Sequence, residues 1–386
     1  MEFDLDDDQR GYQQAARAFA QGELAPHAAA WDADAYFCRD AIARAGEMGF
    51  CGLYTPQRWG GLGLSRLDAS IVFEELAAGC TSTTAYLTIH NMATWMVARW
   101  GAEAVCAQWV PQLASGTRLA SYCLTEPQAG SDAAALRTRA VRAGGDYLID
   151  GGKAFISGGS RTDLLVVMAR TGAAGAAGIS AFAVPADTPG ISFGKLEHKM
   201  GWNSQPTCAI NFDKVRVPRA CLLGEEGQGF AIAMKGLDGG RINIATCSIG
   251  TAQAALNRAQ AYLKERVQFG RELAQFQALQ FKLADMLTEL VAARQLVRLA
   301  AWKLDSGSPD TSVYCAMAKR FATDAGFKVA NDALQLHGGY GYIRELPLER
   351  HVRDTRVHQI LEGTNEIMRV IIARAILRDG ATETLK

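Results

Sequence analysis

The feature that most constrains this chain is a change of hydrophobic period near residue 120 that reverses near residue 225. A period of 3.6 residues commits a segment to one buried helical stripe, and a period of 2 commits it to a strand. Before the change the chain reads as helices. Asp6, Asp7 and Asp8 place negative charge where a helix dipole is positive, and Pro26 ends that first helix. Segments 66–79, 83–99 and 103–115 alternate apolar and small residues at helical spacing, with Pro111 expected to shorten or kink the last. Trp59-Gly60-Gly61-Leu62-Gly63 reads as a flexible connection. Between the two changes, Leu136 to Ser157 alternates around Gly144-Gly145 and Gly151-Gly152, both hairpin-turn signals. Leu164 to Met168, Ile179 to Val184 and Cys208 to Val217 are further strands, and Thr171 to Gly178 is a loop. After the second change Leu279, Leu283, Met286, Leu290, Val297 and Leu304 form one stripe. Helices over about 227–267, 311–336 and 364–378 complete a set of four long helices with short connections. The expected fold is therefore α+β and multi-domain: an N-terminal α-helical domain over 1–120, a middle antiparallel β-domain over 121–224 and a C-terminal four-helix bundle over 225–386.

Composition removes several function classes. At 386 residues and 49% hydrophobic, the chain can bury one large core or two to three packed domains. Lys+Arg and Asp+Glu both total 40, so no basic stripe invites nucleic acid. Nine cysteines without a CxxC pair suit a reducing compartment and argue against a zinc site or disulfide framework. The acidic start Met1 to Asp8 lacks the basic and apolar character of a targeting segment. No apolar run reaches the roughly 20 residues of a membrane span. A cytoplasmic protein is the expectation; the mature form of a mitochondrial-matrix protein would read the same way.

Familiar catalytic patterns fail on context. No GxGxxG follows a strand, so a Rossmann turn is not supported. Ser192-Phe193-Gly194-Lys195 matches SxxK but falls in strand. His351 and His358 lack metal-ligand spacing, and no metal site is expected. Glu362 stands apart. It precedes Gly363 and a helix start, where a carboxylate can point out of a bend into a ligand site; a solvated boundary glutamate is the plainer alternative.

Several separated segments settle the balance. Tyr122 to Asp132, Phe155-Ile156-Ser157, Arg266-Val267-Gln268-Phe269-Gly270, Gln335 to Gly341 and Leu361 to Asn365 resemble segments of the acyl-CoA dehydrogenases, in that family's order and across nearly the whole chain. The resemblance implies FAD held extended between the β-domain and the bundle. It places Tyr122, Cys123, Leu124, Thr125, Phe155, Ile156 and Ser157 at the flavin ring. Arg266, Phe269, Phe276 and Gln277 would reach the FAD of a neighbouring subunit, Arg266 pairing with pyrophosphate through its planar fork. Gln335, Leu336, His337, Gly338 and Gly339 would lie at the adenosine-pyrophosphate end, and Thr364, Asn365 and Glu366 complete the cofactor set. Phe155 reads equally as a core aromatic, Ser157 as a turn residue and Gly338-Gly339 as a helix stop. A shared site implies a homotetramer, a dimer of dimers.

The resemblance makes Glu362 the base that removes the α-proton of an acyl-CoA thioester. Burial should raise its pKa from the ordinary value of about 4.3 and strengthen it as a base. Backbone N–H of the base and a ribityl hydroxyl would hold the thioester carbonyl. Ser131, Asp238, Gly239, Gly240, Arg241 and Arg374 fall at substrate-contacting positions, Arg374 reading equally as a solvated bundle-end charge. Some family branches carry the base directly before the arginine matching Arg241; Gly240 occupies that place here. Leu361, Gly239-Gly240 and Leu87 to Met92 most resemble members that oxidise isobutyryl-CoA in valine breakdown. A short branched-chain acyl-CoA, with electrons passed to electron-transferring flavoprotein, is the expected chemistry. Dehydrogenation of 2-methylbutyryl-CoA or butyryl-CoA, an oxygen-using acyl-CoA oxidase and a non-catalytic FAD-binding protein are the alternatives; oxidases usually carry an added C-terminal domain, and retention of Glu362 argues against the last.

Overall fold

The computed structural model describes residues 4–380; residues 1–3 and 381–386, which the sequence reading assigns to the first and last domains, lie outside them. In chain order the first helices are α1 (Asp7–Phe19), α2 (Ala28–Ala33), α3 (Arg39–Glu47), α4 (Arg66–Gly79), α5 (Thr81–Trp100) and α6 (Glu103–Ala114). Strands β1 (Ala120–Cys123), β2 (Arg139–Ala143), β3 (Asp146–Ser157), β4 (Leu164–Arg170), β5 (Ile179–Pro185), β6 (Ile191–Leu196), β7 (Thr207–Pro218) and β8 (Leu222–Leu223) follow. Then come α7 (Gly229–Glu265), the two-stranded ribbon β9 (Val267–Gln268) and β10 (Arg271–Glu272), α8 (Gln277–Asp305), α9 (Thr311–Leu336), α10 (Gly339–Tyr342), α11 (Leu348–Arg356) and α12 (Asn365–Asp379). Contacts divide the chain into two units: Ala30–Ser65 with Ser82–Gly240, and Met1–Ala29 with Arg66–Thr81 and Arg241–Lys386. The N-terminal helices are thus shared out, α1 and α4 joining the last helices.

The sheet-bearing unit is built on an eight-stranded sheet in the order β6-β7-β3-β2-β4-β5-β8, with β1 on β4. It is antiparallel for the most part. β1 lies parallel to β4, and β2 meets β4 in parallel at Arg139 and Arg170. Leu164, Val166 and Met168 enter a core with Met96 and Val97 of α5 and Val110 of α6, whereas Leu165 and Val167 enter one with Phe182 and Ile210. Burial on both faces is why β4 is a continuous apolar run instead of an alternation. Gly144-Gly145 is the β2–β3 hairpin turn, but Gly151-Gly152 is not a turn: it lies inside β3 at a register shift. A Cβ on Gly151 would stand 2.7 Å from the Thr138 Cα, so glycine there permits a close strand approach. Trp59 to Gly63, expected to be flexible, is packed: Trp59 is buried, and a Cβ on Gly61 would meet the Thr55 carbonyl at 2.1 Å. Pro111 neither ends nor shortens α6, which runs on to Ala114.

In the helical unit, Asp6 and Gln9 form a reciprocal capping box that starts α1. Asp305, at the end of α8, caps α4 by accepting from the N–H of Arg66 at 2.8 Å and of Leu67 at 3.1 Å. The α8 stripe is confirmed: Met286, Leu290 and Val297 are buried against Ala318, Ala322 and Ala325 of α9, and Leu279, Leu283 and Leu304 flank them. The connection from α9 to α12 is not short; it carries α10 and α11. None of the nine cysteines is in a disulfide; eight are buried and Cys221 is half-buried. Burial pushes the Cys51 and Cys123 thiols up to about 12.

Candidate active site

The Glu362 site forms between α11 and α12. A 3-10 turn over Val357–Gln359 closes α11, and the Thr364 hydroxyl caps α12 by accepting from the Ile367 N–H at 3.3 Å. Between these, Glu362 has φ +56° and Gly363 φ +86°. A left-handed non-glycine residue costs about 1–3 kcal/mol and persists only where its surroundings over-determine it. Here two cations hold the turn. Arg241 Nε donates to the Glu362 carbonyl at 3.4 Å, and Lys319 Nζ donates to the Gly363 carbonyl at 2.7 Å and to Asn365 Oδ1 at 2.9 Å. Asn365 is turned inward, its amide donating to Thr323 Oγ1 at 2.9 Å and to Asp324 Oδ1 at 2.7 Å. Its side chain serves the turn and leaves only backbone for a cofactor.

The Glu362 carboxylate itself is unengaged. Its Oε2 is sealed from solvent with no hydrogen-bond partner among the described residues, and none of them takes up its N–H. Burial raises its pKa from 4.5 to about 7, against the opposing pull of the Arg241 and Lys319 charges. A carboxylate in this state ionises near neutral pH and is a much stronger base than a solvated one. Glu366, by contrast, is exposed in the first turn of α12.

The same unit brings two predicted cofactor segments together. Arg266, Gln335, Leu336, His337, Gly338 and Gly339 line one cavity of about 500 Å³ with Tyr262 and Tyr340. His337 is fixed by its Nδ1 contact to the Ala333 carbonyl at 2.7 Å and by stacking on Tyr262 at 4.4 Å. Phe269 has φ +52° and Gly270 φ +77°, which turns the β9–β10 ribbon and leaves Phe269 93% exposed. Phe276 faces it edge-on at 6.2 Å between ring centroids, and Gln277 opens α8 on the exposed side.

In the sheet-bearing unit, the ends of β1 and β3 adjoin: the Ala154 N–H donates to the Thr125 carbonyl at 2.9 Å. Cys123 and Ile156 point into the core, so only their backbone can face a ligand. Leu124 packs in the opposite core with Tyr122 against it. Phe155, with φ +57°, is 67% exposed, which excludes the core-aromatic reading. Ser157 holds its place through its carbonyl, which accepts from Ser121 Oγ at 2.6 Å. Ser131 is exposed beyond the Glu126–Ala129 turn. Asp238, Gly239, Gly240 and Arg241 are buried along α7, and Arg374 is exposed on α12.

Comparison with known proteins decides the family. The acyl-CoA dehydrogenase N-terminal, middle and C-terminal domains match residues 6–117, 121–215 and 227–377. The chain belongs to the acyl-CoA dehydrogenase family. It is 53% identical to the mitochondrial isobutyryl-CoA dehydrogenase of Bos taurus over 97% of this chain and 90% of that one. The Dictyostelium discoideum protein of the same name is 51% identical over the same shares. The solved butyryl-CoA dehydrogenase of Megasphaera elsdenii superposes with a TM-score of 0.95 at 39% identity, covering 98% of this chain and 100% of that one.

Two residues of this acyl-CoA dehydrogenase escaped the sequence reading. Lys319 is fully buried beside the turn of Glu362; the available signal was a lysine in step with the apolar positions Cys315 and Ala322 on α9. Gln205 is also buried; its Nε2 reaches Ser157 Oγ at 3.4 Å while its Oε1 has no partner among the described residues. Nothing local marks it.

Proposed function

We propose that this chain is an FAD-dependent dehydrogenase that converts isobutyryl-CoA to methacrylyl-CoA in valine breakdown and passes electrons to electron-transferring flavoprotein. The observation that carries the chemistry is Glu362, whose Oε2 is sealed and without a hydrogen-bond partner among the described residues and whose pKa is raised to about 7. The substrate rests on the 53% identity to the bovine isobutyryl-CoA enzyme and on Leu361 and Gly240 beside the base and its arginine.

The residues fit FAD. Arg266 and the Gly338-Gly339 backbone line a cavity with the donors a pyrophosphate needs. Exposed Phe155 and the Ser157 hydroxyl offer an apolar face and a polar group for the ring. Bound FAD supplies the acceptor for the hydride lost from the β-carbon. The protein's part is the α-proton: Glu362 removes it, and its unengaged N–H is available to the thioester carbonyl as negative charge develops there. Arg241 steadies the turn while Gly240 leaves no second carboxylate to compete.

The domain limits at 120/121 and 224/225 belong to this reading, supported by the family-domain matches. So does a homotetramer, a dimer of dimers, supported by the exposed Phe269 tip that a neighbouring subunit would cover. No described helix is long and apolar enough to cross a membrane; the cytoplasm is the proposed compartment, although the bovine and Dictyostelium relatives are mitochondrial by name.

The test is anaerobic bleaching of the purified yellow protein by a panel of thioesters. Isobutyryl-CoA, then 2-methylbutyryl-CoA, should give the highest kcat/KM. One methyl group shifts that ratio by roughly 10–200-fold. A tenfold preference for butyryl-CoA or octanoyl-CoA would overturn the substrate and leave the chemistry standing.

A further inference from the structure

Lys319 carries more than its position on α9 requires. Its side chain is fully buried, yet among the described residues neither of its two hydrogen-bond partners is a carboxylate: they are the Gly363 carbonyl and the Asn365 amide oxygen, at 2.7 and 2.9 Å. Burying an ammonium against neutral oxygens is costly, and a methionine would fill the same volume without that cost. What the arrangement achieves is local. The Glu362 carbonyl is held by Arg241, and the next carbonyl along, that of Gly363, is held by Lys319. Both peptide oxygens of the left-handed pair are therefore tied to cations, and the direction of the Glu362 side chain follows from that pair.

We infer that Lys319 is a positioning residue for the reaction: it locks the Glu362–Gly363 turn and supplies buried positive charge against which Glu362 ionises without pairing with it directly. This rests on the reading of Glu362 as the base. A direct ion pair would hold the carboxylate but weaken it as a base, whereas a cation tied to the adjacent carbonyl aims it and leaves both oxygens unengaged by the lysine. The charged groups around Lys319 come from the Glu362 turn and three helices. Glu362 and Glu366 face it from the turn and the start of α12, Arg241 from α7, and Asp324 from its own helix. His358 also lies within its field, with Nδ1 2.6 Å from Ser248 Oγ, and burial with the Lys319 charge keeps that imidazole neutral. Burial brings the Lys319 ammonium down to about 8, with Glu362 opposing. Activity thus needs Glu362 deprotonated and Lys319 protonated, a window between about 7 and about 8.

The test is the pH profile of kcat/KM for the FAD-loaded enzyme with isobutyryl-CoA and a dye acceptor, in the wild type, Lys319→Met, Lys319→Arg and Glu362→Gln. In Lys319→Met, kcat is expected to fall about 10²-fold, as a misplacement of roughly 1 Å produces. KM and flavin content should stay within threefold, the acid limb should move up, and the alkaline limb should vanish. Lys319→Arg keeps the charge without titrating. It should keep the wild-type acid limb and lose the alkaline one, which answers the question even if the methionine variant does not fold. A Lys319→Met enzyme with kcat within threefold and unmoved limbs, or a Lys319→Arg enzyme that keeps the alkaline limb, overturns the inference while a dead Glu362→Gln leaves the base standing. Glu362→Gln turnover within tenfold of wild type overturns both.

Discussion

Each unit of the molecule buries one lysine near one glutamate, and the outcomes are opposite. In the sheet-bearing unit Lys153 Nζ sits 2.8 Å from Glu126 Oε1 and 3.1 Å from the Leu124 carbonyl. Glu126 also accepts from the N–H of Arg137 at 2.6 Å, of Thr138 at 2.9 Å and from Gln128 at 2.7 Å. Burial raises that carboxyl, but the Lys153 charge and these hydrogen bonds outweigh it and hold Glu126 at about 2. In the helical unit Lys319 spends its hydrogen bonds on backbone and amide oxygens, and burial takes Glu362 to about 7. Whether a buried carboxylate is inert or basic is set here by where the nearby N–H groups point, not by the presence of a cation. The inert pair fixes the chain around Leu124 and Thr125; the basic one is free to take a proton.

Breaking each member separately sharpens the contrast. The largest effect belongs to Glu362→Gln, which is expected to lower turnover by about 10³–10⁴-fold while retaining flavin, since the proton acceptor is lost. Stopped-flow flavin reduction measures it, and a loss below tenfold would return Glu362 to the rank of a boundary residue. Next is Lys153→Met, which strands the Glu126 charge in the interior and should cost ~3–5 kcal/mol in urea unfolding. If stability holds within 1 kcal/mol, the pair is not the anchor described here.

A pH series separates the two carboxylates without mutation. Glu362 has its folded pKa raised from 4.5 to about 7, so the native state holds a proton the unfolded chain releases, and stability falls by ~3 kcal/mol as pH rises through that interval. Glu126 has its folded pKa lowered to about 2, so its contribution is present above 4.5 and is lost as pH falls toward 2. Unfolding of Glu362→Gln followed from about pH 2 to pH 8 should lack the first slope and keep the second; an unchanged neutral slope would show that another group supplies it. The smallest effect is expected at an exposed pair. Lys328 lies 2.8 Å from Glu289 with its side chain 52% exposed, and Lys328→Met should change stability by less than ~1 kcal/mol, checked in the same urea series.

The parts of this fold that were legible are those written by local period. The α8 stripe, the Gly144-Gly145 hairpin and the capped start of α1 depend on neighbours a few residues away. Gly151-Gly152 misled because its meaning lies across the sheet, at Thr138. The helix α11 was missed because Leu348 to Arg356 is dense in charge and its apolar contacts come from α9. At the site, Glu362 stood out by its bend and its family motif. Lys319 did not, because its burial depends on α12 returning beside α9, which no window of sequence contains. The motif names Asn365 but not the direction of its amide, which donates to Thr323 and Asp324.

The buried thiols have a kinetic consequence. Alkylating reagents consume thiolate, and a sealed Cys51 or Cys123 with its ionisation displaced to about 12 offers almost none while the protein stays closed. Modification must then wait for an opening event, and its rate measures how often that event occurs. Cys51 and Cys123 sit in one unit and Cys247 and Cys315 in the other. Mass-resolved labelling of these four sulfurs would time the two units separately, so the chain carries its own chronometer for whether they open together or one ahead of the other.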